Sequence, residues 1–163
     1  MNPDRLAEVV AAVRDPEIHV GLRDLGVLRS VSLADDRILV RLAPTRISCP
    51  ALGEIARRVR SALAEAAPGH RVEIVWERGT WQPASVTAAG RDALDQGGYR
   101  LAGTDPRCPY CGGGDVVRAG RFGGAVCKVP YDCRGCGSPF DVIGTAECGT
   151  VLPTPDFAQG GSR

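Results

Sequence analysis

Residues 108–141 read CPYCGGGDVVRAGRFGGAVCKVPYDCRGCGSPFD and contain two CxxC motifs, Cys108–Cys111 and Cys133–Cys136, with 21 residues between them. Each motif sets two thiols on one side of a tight turn, and Gly112 and Gly137 follow where the backbone must bend sharply. Four cysteines in two such turns are the ligand set of a tetrahedral structural zinc site. The spacing therefore predicts a zinc ribbon held by these four cysteines.

The spacer between the two motifs predicts a two-stranded excursion. Val116–Arg118 and Val126–Tyr131 have the composition of short strands, which explains a spacer slightly longer than usual for such sites. The stretch has few large apolar residues, and a unit of this size usually needs a metal or disulfides. Unrelated dithiols or disulfides are the alternative interpretation, and iron is the alternative metal. With all four positions filled, the metal should support folding rather than catalysis.

The other cysteines are distributed unevenly along the chain. Cys127 and Cys148 accompany the predicted zinc site, whereas Cys49 stands alone in the first hundred residues. We interpret Cys127 and Cys148 as small buried or incidental residues. The N-terminal sequence is charged and amphipathic, and no apolar run is long enough to span a membrane. The sequence thus predicts a cytoplasmic protein without a membrane partner, in which cysteines serve metal binding or catalysis rather than a disulfide framework.

Charge and composition argue against several functional classes. The 163-residue chain has a formal net charge of +1, and only 5% of its residues are aromatic. Such a chain has neither a phosphate-tracking surface nor a stacking platform, so we predict no nucleic-acid partner. The sequence contains no P-loop, dinucleotide fingerprint or Ser-His-Asp order. It does not predict an enzyme of those classes.

Residues 1–100 alternate between helical and strand periodicity. Asn2 and Pro3 form a helix start, and Leu6, Val9, Val10 and Val13 follow on one face. The further predicted elements are strands at 27–33 and 38–42, a helix at 52–66, a strand at 72–76 and a helix at 87–95. This order predicts an α+β fold, a small helix-covered sheet domain followed by the four-cysteine zinc ribbon. The predicted domains are 1–100 and 101–150, and residues 151–163 form a predicted disordered tail.

Cys49 is a candidate reactive thiol. If Pro50 takes the first helical position, Cys49 becomes the N-cap of the 52–66 helix, whose amides and dipole favour a thiolate able to bind metal. The alternative is that Cys49 only packs at a strand-to-helix corner. Asp15 and Glu17 flank Pro16 in a helix-ending turn, and these two carboxylates are candidates to face the same corner.

Several motifs together resemble a known family. Asp15-Pro16-Glu17, Asp24-Leu25-Gly26-Val27-Leu28, and Pro44-Thr45 followed by Cys49-Pro50-Ala51 resemble the small domain of iron-sulfur assembly proteins. Joined to the two CxxC motifs, and with Trp81 and Gly90-Arg91 in the expected order, the chain is similar to the PaaD family from about residue 5 to residue 143.

The resemblance implies a non-catalytic helper in the assembly or maturation of an iron-sulfur or di-iron centre of a multicomponent oxygenase such as phenylacetyl-CoA epoxidase. The implied partners are a client metalloenzyme or oxygenase subunits. Cys49 would handle an iron-sulfur cluster or iron transiently, with Asp15 and Glu17 as its acidic signature, and the ribbon would hold zinc. A stable structural subunit of the oxygenase is the alternative. Two segments, Arg46-Ile47-Ser48 and Gln82-Pro83-Ala84-Ser85, depart from the family pattern, so a paralogue with another client also fits.

Overall fold

The computed structural model of the chain describes residues 2–46, 49–103, 106–120 and 128–144. Cys127, Cys148 and the predicted tail lie outside these residues. The helices are α1 (Pro3–Ala12), α2 (Leu52–Ala66) and α3 (Ala88–Gln96), and the strands are β1 (Leu28–Ala34), β2 (Arg37–Leu42), β3 (Arg71–Trp76), β4 (Tyr99–Leu101), β5 (Val116–Arg118), β6 (Lys128–Cys133) and β7 (Pro139–Ile143). The mixed helix and sheet fold predicted from the sequence is confirmed.

The first sheet has the strand order β1-β2-β3. β1 and β2 form the predicted antiparallel hairpin, and its turn places Asp35 in a left-handed conformation (φ 52°), which aspartate tolerates. β2 and β3 are parallel, so α2 is the crossover between them. Ile38, Val40 and Leu42 alternate along β2 and are buried, which places the core between this sheet face and the helices α1 and α2.

The second sheet has the order β4-β7-β6-β5. β5, β6 and β7 are antiparallel neighbours and form the ribbon, whereas β4, directly after α3, pairs in parallel with β7. The sequence patterns missed β4 and β7. The boundary predicted between residues 100 and 101 falls inside β4, so the division of the chain at this point stays a proposal.

Trp81 joins the ribbon to the first sheet's core. Its buried indole Nε1 donates a hydrogen bond of 2.7 Å to the carbonyl of Leu25. Ile143, at the end of β7, belongs to the same apolar core, and the next residue, Gly144, packs so closely that a Cβ there would lie 2.8 Å from the Trp81 ring. The ribbon is therefore packed on the first domain rather than tethered to it.

The loop that precedes β1 is fixed against the start of α3. The Thr87 hydroxyl donates to Asp24 Oδ1 at 2.8 Å, and the Thr87 amide donates to the Asp24 carbonyl at 3.0 Å. Gly90 faces the same carbonyl, and a Cβ at that position would overlap the Asp24 carbonyl oxygen. Only glycine at residue 90 allows this close approach.

This contact predicts that Gly90→Ala destabilises the protein by about 1–3 kcal/mol, because the added methyl must displace backbone. Gly53→Ala is the matched control: Gly53 is exposed in α2 with nothing within 4 Å of the position that an alanine methyl group would take, so alanine should raise stability by up to about 1 kcal/mol. Urea denaturation followed by circular dichroism measures both free energies of unfolding. Equal effects of the two substitutions would contradict the packing described.

Candidate functional site

The four cysteines of the two CxxC motifs converge at one end of the ribbon. Their Sγ atoms all lie within 4.8 Å of one another, with 3.6 Å between Cys108 and Cys136 and 3.6 Å between Cys111 and Cys133. Cys108 and Cys133 are buried, whereas Cys111 and Cys136 are exposed. The fold thus brings together the four thiols that the motif spacing predicts to be ligands.

Both motifs fold into the same turn. The Gly112 amide donates to the Cys108 carbonyl at 2.9 Å, and the Gly137 amide donates to the Cys133 carbonyl at 2.8 Å. Gly112 and Gly137 have φ values of 72° and 74°, a region that favours glycine. The glycine after each second cysteine therefore lets the chain reverse while both sulfurs of the turn point inward.

The chemistry of this donor set suits a metal ion. Sulfurs around a tetrahedral zinc, each about 2.3 Å from the metal, stand about 3.8 Å apart, close to the separations found here. The hydroxyl and amide of Ser138 lower the pKa of Cys136 to about 6. The Gly113 amide favours the Cys111 thiolate, yet hydrogen bonds shared with the other three thiols raise the pKa of Cys111 to about 12. Four adjacent thiolates require a cation between them, so the cluster is a metal-binding site.

Arg100 ties this cluster to α3. Its Nη1 donates to Asp95 Oδ2 at 2.6 Å, and its Nε and Nη2 donate to the carbonyls of Arg107 and Cys108 at 2.9 and 3.4 Å. The first cysteine turn is therefore held by a side chain from β4, the strand that leads out of the first domain.

The second candidate site surrounds Cys49. The predicted N-cap role of Cys49 is wrong: α2 begins at Leu52, its N-cap residue is Ala51, and among the described residues no side chain accepts a capping hydrogen bond there. The Cys49 carbonyl accepts a hydrogen bond of 3.4 Å from the Leu52 amide instead. Cys49 lies one turn ahead of the helix, half-buried against the core.

The acidity expected of a helix-capping thiol is also wrong. Burial raises the pKa of Cys49, a hydrogen bond from the Ala51 amide lowers it, and the charges of Asp15 and Glu17 raise it further against Arg46. The net direction is upward, so the thiol is protonated at neutral pH. The two carboxylates do reach the Cys49 corner, which the sequence left open.

Asp15 also shapes the turn that carries Glu17. Its side chain is only 5% exposed, and Oδ1 accepts hydrogen bonds from the amides of Glu17 (2.8 Å) and Ile18 (2.9 Å). The His19 amide donates to the Asp15 carbonyl, and His19 adopts φ 63°. This closed turn fixes both carboxylates relative to Cys49.

Comparison with known proteins matches both parts of the chain. Residues 4–76 match the family model described as iron-sulfur cluster assembly protein, and residues 98–144 match the PaaD zinc beta ribbon domain. The chain belongs to the PaaD family. A relative in Escherichia coli (strain K12), a putative 1,2-phenylacetyl-CoA epoxidase subunit, is 25% identical over 143 residues, which cover 82% of this PaaD-family chain and 87% of the relative.

The first domain has relatives of its own. An iron-sulfur cluster carrier protein of Deinococcus radiodurans is 37% identical over 91 residues, which cover 56% of this chain but only 24% of the carrier. A crystal structure of a domain of unknown function, DUF59, from Bacillus anthracis is 26% identical with a TM-score of 0.50, over 56% of this chain and 90% of that one. Within the described residues, the helices are too short or too polar to cross a bilayer.

The packing at Trp81 predicts that loss of the ribbon metal is sensed in the first domain. In a Trp76→Phe background, where Trp81 is the remaining tryptophan, Cys133→Ser or chelation should unfold the ribbon and shift Trp81 fluorescence to longer wavelength, while helical circular dichroism is largely kept. Cys49→Ser, a thiol change outside the ribbon, serves as the control. Unchanged Trp81 emission after metal loss would show that the two parts fold independently.

The raised pKa of Cys49 predicts slow alkylation at neutral pH, with a rate that rises as pH approaches this pKa from below, because only the thiolate reacts. Removing negative charge should lower the pKa, so Glu17→Gln should react faster than the wild type at neutral pH. Iodoacetamide kinetics across pH, read by peptide mass spectrometry on the zinc-loaded protein, measure both. A Cys49 faster than a free thiol would contradict this electrostatic description.

Proposed function

We propose that this chain is a cytoplasmic, non-catalytic accessory protein that assembles or matures an iron-sulfur or di-iron centre in a client metalloenzyme, for example a multicomponent oxygenase. The observation that carries the proposal is the Cys49 corner, where one half-buried thiol lies within the electrostatic reach of Asp15 and Glu17. This corner belongs to the region that matches the iron-sulfur cluster assembly family.

A single thiol between carboxylates suits transient binding. At rest the proton stays on Cys49, and arriving iron displaces it to solvent because thiolate, not thiol, binds the metal. The carboxylates of Asp15 and Glu17 attract the cation, yet one cysteine leaves most coordination positions open for the thiolates or carboxylates of a client. A site of this kind accepts cargo and gives it up.

The ribbon has the opposite design. We assign a structural zinc to Cys108, Cys111, Cys133 and Cys136, since four thiolates close the coordination sphere and leave no position for a substrate. The ribbon surface also carries two exposed apolar side chains, Tyr110 (58% exposed) and Val117. Exposed aromatic residues are common in protein interfaces, so this surface is proposed to contact the client.

A stable structural subunit is the second candidate. The Escherichia coli relative is described as a subunit of an epoxidase, which favours permanent membership of a complex. The departure at Gln82–Ser85, where a 3₁₀ turn spans Pro83–Ser85 beside Trp81, favours a different client for this chain. Both candidates keep the zinc ribbon, and they differ in whether Cys49 is needed.

Two matched cysteine substitutions separate the roles of the two sites. Cys49→Ser should retain about one zinc per chain and the full fold, yet leave the client without its iron in a complementation assay, because serine offers no thiolate to the metal. Cys133→Ser should lose the zinc. Metal analysis of this protein and of the purified client measures both effects. A Cys49→Ser strain whose client has normal iron content and activity would leave only the structural subunit.

A further inference from the structure

Arg46 has a buried donor that the chain does not satisfy. Among the described residues, Arg46 Nη1 and His70 Nδ1 are the buried side-chain nitrogen or oxygen atoms without a hydrogen-bond partner. A buried guanidinium N–H without an acceptor is costly, and such groups in folded proteins are normally paired. The unpaired Nη1 therefore points to an anionic acceptor that comes from outside the chain.

The position of Arg46 places this donor at the Cys49 corner. Arg46 precedes Cys49 by three residues in the connection between β2 and α2, and its charge acts on the thiol in opposition to Asp15 and Glu17. Arg57 of α2 differs from it. Arg57 is exposed and donates twice to Glu54 at 2.8 Å, so its charge is already paired.

We propose that Arg46 is a specificity-determining residue of this corner, whose Nη1 donates a hydrogen bond to an inorganic sulfide of an iron-sulfur cluster held by Cys49. This inference rests on the proposed function. A cluster presents cationic iron and anionic sulfide at once, and hydrogen bonds to its sulfurs are a general means of stabilising it. The Asp15 and Glu17 carboxylates suit the iron, and the guanidinium suits the sulfide.

The same arrangement discriminates against a bare ferrous ion. A divalent cation gains from the two carboxylates and the thiolate, but Arg46 repels it and finds no acceptor on it. A sulfide-bridged cluster satisfies the buried Nη1, which a bare ion leaves unpaired. Arg46 thus makes the corner selective for the assembled cluster over its metal.

The test uses the full chain with zinc already in the ribbon, under anaerobic conditions. One titration supplies a preformed [2Fe-2S] cluster on a small thiol and follows its visible circular dichroism, and the other supplies ferrous iron alone in competition with a chromogenic chelator. Arg46→Met should weaken cluster binding about tenfold or more, the effect of a lost hydrogen bond to a charged group, while ferrous binding stays equal or becomes tighter. Arg46→Lys should lie between Arg46→Met and wild type, and Arg57→Met should match wild type.

Two outcomes would overturn the inference. Cluster binding by Arg46→Met equal to that of wild type refutes the hydrogen bond, and a parallel loss of cluster and ferrous binding shows a merely structural role. Cys49→Ser separates this inference from the proposed function. If Cys49→Ser loses cluster binding and Arg46→Met does not, only the role of Arg46 fails. If Cys49→Ser still binds the cluster, the proposed role of Cys49 fails, and the inference fails with it.

Discussion

The hydrogen bond from the Trp81 indole to the Leu25 carbonyl, closed over by the end of β7, is the constraint on which the rest of the structure depends. It fixes the loop before β1, and the same loop is clamped by Thr87 at the start of α3. Gly144 seals the opposite side of the indole. One buried side chain therefore positions the assembly domain and the ribbon relative to each other.

The two candidate sites use cysteine in contrasting ways. In the ribbon, glycine-supported turns gather four thiols within 4.8 Å, and the resulting site is closed to further ligands. At the Cys49 corner, burial and two carboxylates keep a single thiol protonated until a cation arrives. The first design stabilises a small fold with little core of its own. The second keeps metal binding reversible, which an assembly factor requires.

Local patterns predicted most of the fold, whereas the properties of Cys49 depend on residues distant in sequence. Helical periodicity located α1, α2 and α3 nearly to the residue, because each has a cap or an apolar stripe within its own sequence. β4 and β7 were missed since three- and five-residue strands are too short for a periodic signal, and β4 forms by pairing with a strand about 40 residues away. Pro50 suggested a helix start, but α2 begins two residues later, and the thiol's pKa is set by burial and by carboxylates more than 30 residues upstream. The unpaired Arg46 Nη1 was likewise beyond sequence patterns, and its one signal was a departure from the family motif beside Cys49.

Zinc and iron are expected to occupy separate sites, zinc in the ribbon and iron at Cys49. X-ray absorption at both metal edges, on the protein isolated anaerobically from cells as wild type and as Cys49→Ser, tests this separation directly. We predict zinc bound by four sulfurs at about 2.3 Å in both proteins, and iron with mixed sulfur and oxygen ligands in the wild type alone. Iron in the four-sulfur site, or an iron signal unchanged by Cys49→Ser, would contradict the separation.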